Sequence, residues 1–131
     1  MGSLEIRVEP EIGELRHARH TLDAWLEGMG MTEPPRAAFV LATHEALANA
    51  IQHSGTSSLA TVRATTTHEG IEIVISDNGS WKAPRQSSNA ERGRGLALIQ
   101  SLVPDAAVTS GEFGTTVSLS HLYGGPDDVL S

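Results

Sequence analysis

The stretch 44-HEALANAIQH-53 decides how this chain is read. Most of it is alanine, leucine and isoleucine, the material of a buried helix. Yet Glu45, Asn49 and His53 recur at four-residue steps, and residues so spaced share one face of an α-helix. On a wheel of about 100° per residue, Val40, Leu47 and Ile51 form one apolar face. Glu45 and Asn49 lie opposite, flanked by Ala38, Leu41 and Ala42. A surface helix ordinarily turns Lys, Glu and Gln to water. Here the far side is mostly alanine, small enough for another group to come close, and any buried polar group there needs a partner.

Three readings follow. The helix either sets its back on a sheet with the polar stripe in a cavity, or turns that stripe to water. A third reading is a metal site from Glu45, Asn49 and His53, where the amide oxygen suits a hard cation such as Mg²⁺ better than zinc. "HEALA" also opens like the zinc-protease pattern H-E-x-x-H, but position 48 is alanine, so that pattern fails.

Two downstream segments bear on the choice. In 71-IEIVISDNGS-80 a strand ends at Asp77, with Gly79 just beyond. A carboxylate there accepts hydrogen bonds, and a glycine beside it lets an amino group such as that of adenine come close to the backbone. Asp-Asn-Gly is equally ordinary turn chemistry. In 92-RGRGLALIQ-100, Gly93 and Gly95 precede a helix start, where free N–H groups and the helix dipole favour phosphate. Arg92 and Arg94 add positive charge. The pattern is neither G-x-G-x-x-G nor a Walker loop. "GTTV" at 114–117 puts a hydroxyl at the start of the last strand. Each signal is weak alone; the set and its order carry the weight.

The rest of the chain limits the options. Its 131 residues suit one domain with one core, with "GGPDDVLS" a disordered tail. It has no apolar run long enough to span a bilayer. An acidic opening, "MGSLEIRVEPEIGE", is unlike a signal peptide. Cysteine is absent, which excludes disulfides and thiolate chemistry and is compatible with the cytoplasm. A formal charge of -7 argues against a general nucleic-acid binder. Lys82, Arg85, Arg92 and Arg94, by contrast, put four of the nine basic residues in one short segment, which points to a local anionic ligand.

Periodicity predicts strands at 4–8, 59–67 and 71–76, with Gly70 in the turn between the last two. It predicts a helix over 11–28 begun at Pro10, and another that runs to about 53 with Thr32 as N-cap. The polar stretch 78–93 reads as a long loop. A short helix follows at 95–103, then a hairpin across "GEFG". The order β-α-α-β-β-loop-α-β-β gives an α/β two-layer sandwich: a mixed, mostly antiparallel sheet with helices on one face, not a doubly wound fold.

This arrangement resembles the GHKL ATPases and their Bergerat fold, and within them the anti-sigma factor serine kinases of the RsbW and SpoIIAB type. "HEALANAIQHS" is similar to the family's N-box, "DNGSW" to its first glycine box, "GRGLALI" to its second and "GTTV" to its last motif. The resemblance implies Glu45 as general base and Asn49 as the Mg²⁺ ligand. It implies Asp77 and Gly79 at the adenine, and Arg92, Gly93, Arg94, Gly95 and Leu96 at the phosphates. Thr116 would support the adenine site, residues 80–92 would form a lid, and His53 would be structural or near a phosphate. It further implies ATP and Mg²⁺, a sigma factor and a STAS-domain anti-sigma-antagonist as partners, and a homodimer through the first helix and strand. Trp81 stands where many relatives carry a second glycine. Two other readings are a histidine-kinase catalytic domain, with His17, His20 and His44 as phosphoacceptors by residue type only, and an ATP-binding regulatory module without catalysis.

Overall fold

The computed structural model describes residues 2–9, 11–53, 59–77, 97–111 and 114–122, apart from the side chains of 12, 51–53, 110, 111 and 114. Within them run β1 (Ser3–Val8), α1 (Ile12–Gly28), α2 (Pro35–His53), β2 (Ala60–Thr66), β3 (Gly70–Asp77), β4 (Ala107–Gly111) and β5 (Gly114–Leu122). Residues 97–102, between β3 and β4, are also helical and are called α3.

The five strands form one sheet in the order β1-β2-β3-β5-β4. All four pairings are antiparallel, so the expected sheet holds without its mixed part. The last strand enters between β3 and β4. Alternation then divides the sheet cleanly. Ala60, Val62 and Ala64 of β2, Ile71, Ile73 and Ile75 of β3, and Val117 and Leu119 of β5 are buried beneath the helices. Their neighbours in sequence point to the other face, as a period of two requires.

Helix α1 presses Ala18, Leu22 and Leu26 into this core. Helix α2 is buried around more than half of its circumference: Phe39, Val40, Ala42, Thr43, Ala46, Leu47, Asn49 and Ala50 are all buried. Alanine makes this depth achievable, because it lets the α2 backbone sit close to its neighbours. Near its start, the Phe39 ring meets His121 of β5 edge-on, with centroids 5.9 Å apart. The α1–α2 hairpin is fastened by Arg36, whose Nε donates to Asp23 Oδ1 at 3.0 Å and whose terminal nitrogen donates to the Met31 carbonyl at 3.0 Å.

Three local expectations are corrected. Helix α1 begins at Ile12 with Glu11 at its N-cap, not at Pro10. Helix α2 begins at Pro35, so Thr32 lies outside it and contributes its carbonyl, which accepts the Arg36 N–H at 3.0 Å. Strand β3 begins at Gly70, one residue earlier than expected, so Gly70 both closes the turn and opens the strand. Thr67 organises that turn: its hydroxyl accepts the N–H groups of Glu69 and Gly70 at 3.1 and 3.3 Å. Position 70 needs glycine for another reason, since any Cβ there would run into the His121 carbonyl of β5. The expected tail, and the long loop at 78–93, lie outside the described residues.

Thr43 shares the sheet-facing side of α2 with Phe39, Ala46 and Ala50. It is 2% exposed, and its hydroxyl oxygen has no hydrogen-bond partner. An unmet buried hydroxyl costs free energy. Thr43→Val should therefore leave stability unchanged or raise it by about 1 kcal/mol, read as the midpoint of urea unfolding. A clear loss would show that the hydroxyl is satisfied in solution.

Candidate functional site

The polar stripe of α2 is sorted by depth. Asn49 is 8% exposed, and Glu45, one turn earlier, is half-buried. Ala42 is fully covered and Ala38 partly so, but Leu41 is 42% exposed. Leu41 thus turns to solvent instead of lining the cavity side, as its place on the wheel midway between the two sides allows. The solvated-stripe reading fails at Asn49. Its side-chain nitrogen is buried without a hydrogen-bond partner. Turning the amide over exchanges N for O and leaves the other atom in the same place. Either way, one polar atom of a buried amide awaits a partner that the described residues do not supply.

Asp77 closes β3 on the face that the helices cover. It is 5% exposed, on the inward parity of Ile71, Ile73 and Ile75, and it pairs in register with buried Ala60 on β2. The sheet therefore carries a carboxylate at one end of its covered face, where only apolar side chains precede it along β3. A small residue opposite leaves room beside it. Asp77 has interactions within the chain as well.

The last strand brings one change. Ser76 of β3 pairs with Thr116 of β5, and Ile75 with Val117. Paired residues point to the same face, so Thr116 joins Ser76 on the outer face, away from Asp77 and α2. Thr115 is the residue that alternation turns toward Asp77. Val117 and Leu119 alternate with Ser118 and Ser120, and Thr115 has the apolar parity. Gly79, Arg92, Gly93, Arg94, Gly95 and Leu96, and the proposed lid at 80–92, lie outside the described residues. So does the side chain of His53, and with it the three-residue metal reading. Among the described residues no three His, Asp or Glu side chains gather to hold a metal ion.

A buried carboxyl group on β3 and a buried amide with one unmet atom on α2 thus lie on the helix side of one sheet. The carboxylate can accept an exocyclic amine, and the amide oxygen can reach a hard cation that phosphates also hold.

Comparison with known proteins places this geometry. The histidine kinase-like ATPase domain family matches residues 8–121, and the protein belongs to that family of GHKL ATPases, for which ATP is the nucleotide. Among solved structures, the chain is similar to the RsbU and RsbW domains of Rv1364c from Mycobacterium tuberculosis, with 27% identity and a TM-score of 0.74. The match covers 93% of this chain and 33% of that one, so the chain spans about a third of that relative's length. No described helix is long and apolar enough to cross a membrane.

The register makes a testable distinction. Thr115→Val should weaken ATP binding by up to about tenfold, the worth of one neutral hydrogen bond. Thr116→Val should leave it unchanged. Calorimetry on both variants decides, and the reverse order would overturn the register argument.

Proposed function

We propose that this protein is an ATP-dependent serine/threonine protein kinase that acts as an anti-sigma factor. It binds a sigma factor and phosphorylates a STAS-domain anti-sigma-antagonist. The observation that carries the reading is the graded stripe on α2, with Asn49 buried and Glu45 half-buried one turn away. A residue that only binds nucleotide can be fully enclosed. A base that serves a second protein's hydroxyl must stay reachable from outside, and Glu45 does. The likeness to a structure whose description names an RsbW domain supports the anti-sigma assignment.

In this mechanism Asp77 accepts from the adenine amine, with Gly79 allowing close approach. Gly93, Gly95, Leu96, Arg92 and Arg94 surround the phosphates. Asn49 would hold Mg²⁺, which when bound neutralises phosphate charge. The acceptor hydroxyl of the antagonist gives its proton to the Glu45 carboxylate as its oxygen bonds to the γ-phosphorus. The bond from that phosphorus to the bridging oxygen breaks, and ADP leaves. Phosphoryl transfer asks mainly for positioning and charge compensation, and these residues supply both. The proposal takes the core of about 5–122 as one domain and places the protein in the cytoplasm. It also pairs two copies through α1 and β1; β1 lies at an edge of the sheet.

Glu45→Gln separates binding from chemistry. It keeps shape and removes the basic carboxylate. Transfer of labelled phosphate to the antagonist should fall by roughly 10²–10⁴, with ATP affinity little changed and sigma-factor binding intact. Full transfer by this variant would remove Glu45 as base. ATP binding by the unaltered protein without transfer to any STAS-domain antagonist of its organism would favour the non-catalytic module.

A further inference from the structure

The outer face of the sheet gathers a second polar set. Register pairs Arg7 with Thr61, and Thr61 with Ser76. Three outward side chains from three adjacent strands therefore stand in one row, with a step of about 4.8 Å between strands. With Glu5, Leu59 and Arg63 they line a groove of about 440 Å³. That volume lies within the roughly 300–1,000 Å³ that small ligands use. Leu59, Thr61 and Ser76 are half-buried, while Arg7 is exposed.

The charges in this groove are already sorted. Arg63 Nε donates to Glu5 Oε2 at 3.2 Å, so the one carboxylate is compensated. Among the described residues, Arg7 makes no ion pair, and the hydroxyls of Thr61 and Ser76 have no hydrogen-bond partner. What remains is a guanidinium fork and two hydroxyl donors converging on one groove, with Leu59 as an apolar wall. An arginine fork matches the geometry of phosphate oxygens, and hydroxyls complete the shell.

We propose that this groove is an anion site that takes a phosphate group, held by Arg7, Thr61 and Ser76. It does not depend on the kinase reading. Ser76 is adjacent to Asp77 in sequence but points to the opposite face, so the two sites lie back to back across the β2–β3 pair. A lone exposed arginine is ordinarily only solvated. This one differs in standing beside two unpaired hydroxyls and a neutralised acid, in a chain whose formal charge is -7. The phosphate group is either free in solution or carried on a phosphorylated side chain.

The test is a titration of the ¹⁵N-labelled full chain with inorganic phosphate at constant ionic strength, followed by NMR. The Arg7 side-chain Nε–H and the amides of Thr61 and Ser76 should shift together and saturate. Arg7→Gln should weaken that response at least tenfold while leaving any phosphate response near Asn49 and Asp77 in place. Glu5→Gln should strengthen it several-fold, because it removes the carboxylate and releases Arg63. Both side chains lie on the outer face, so the fold is kept, and unchanged core resonances verify this. A phosphoserine flanked by glycine and serine, run in parallel, separates the sources: equal affinity assigns the site to free phosphate, and affinity tenfold tighter assigns it to a phosphorylated protein. Shifts that never saturate and fall equally on Arg16 and Arg19 overturn the proposal, as does an Arg7→Gln variant that binds normally.

Discussion

The antiparallel pairing of β3 with β5 is the constraint on which the rest depends. A sheet covered on one face must keep its apolar residues on that face, and a slip of one residue would turn every side chain of a strand over. Ile73 opposite Leu119 and Ile75 opposite Val117, all buried, fix the register. Once it is fixed, Asp77 can only end β3 on the covered side, and Ser76 and Thr116 can only face outward. Gly70 secures the other end, where β5 comes too close for any side chain. The position of the candidate site is thus a consequence of core packing several residues away.

On this base, α2 does something a helix usually avoids. It takes Thr43, Asn49 and part of His44 out of water without pairing every polar atom. Each such atom costs free energy unless something met on binding offsets it. For Asn49 the function proposed above offers a partner, a nucleotide and its cation on that side of the helix. Thr43 lies on the side of Phe39, Ala46 and Ala50, 2% exposed among apolar side chains, and its unmet hydroxyl counts as a structural debit. Of the three groups on α2 with an unmet atom, Thr43 and Asn49 point in different directions, and the proposed function gives a partner to Asn49 alone.

Much of this was legible in the sequence, and the misses share a cause. The alternation in 59–67 and 71–76 and the alanine-rich pattern of 36–53 are local signals, and the two strands and the helix lie within a residue or so of those bounds. The strand end at Asp77 was legible too, and the structure adds that its side chain is buried on the covered face. What local pattern could not supply was partner identity. Nothing in the chain order says that β5 inserts beside β3, so Gly70 read as turn chemistry when its reason is the backbone of β5. Thr115 and Thr116 are alike in type, and only parity, visible in Val117 and Leu119, separates their faces. The helix starts drifted by a few residues because Pro10 and Thr32 are signals for boundaries that the backbone set elsewhere.

The charge distribution follows from the same division of faces. A chain with formal charge -7 repels a nucleotide at long range. At physiological salt the Debye length is only about 8 Å, so a phosphate near the site responds to charges within that distance. Among the described residues, Asp77 on the covered face and the half-buried Glu45 one turn from Asn49 are carboxyl groups, which do not compensate a phosphate. Compensation for the phosphates must come from outside that face, and the chain concentrates Lys82, Arg85, Arg92 and Arg94 in the segment joining β3 to α3. An acidic surface and a nucleotide site are therefore compatible. The net charge acts at long range, and the four basic residues of that one sequence segment are a separate, local feature.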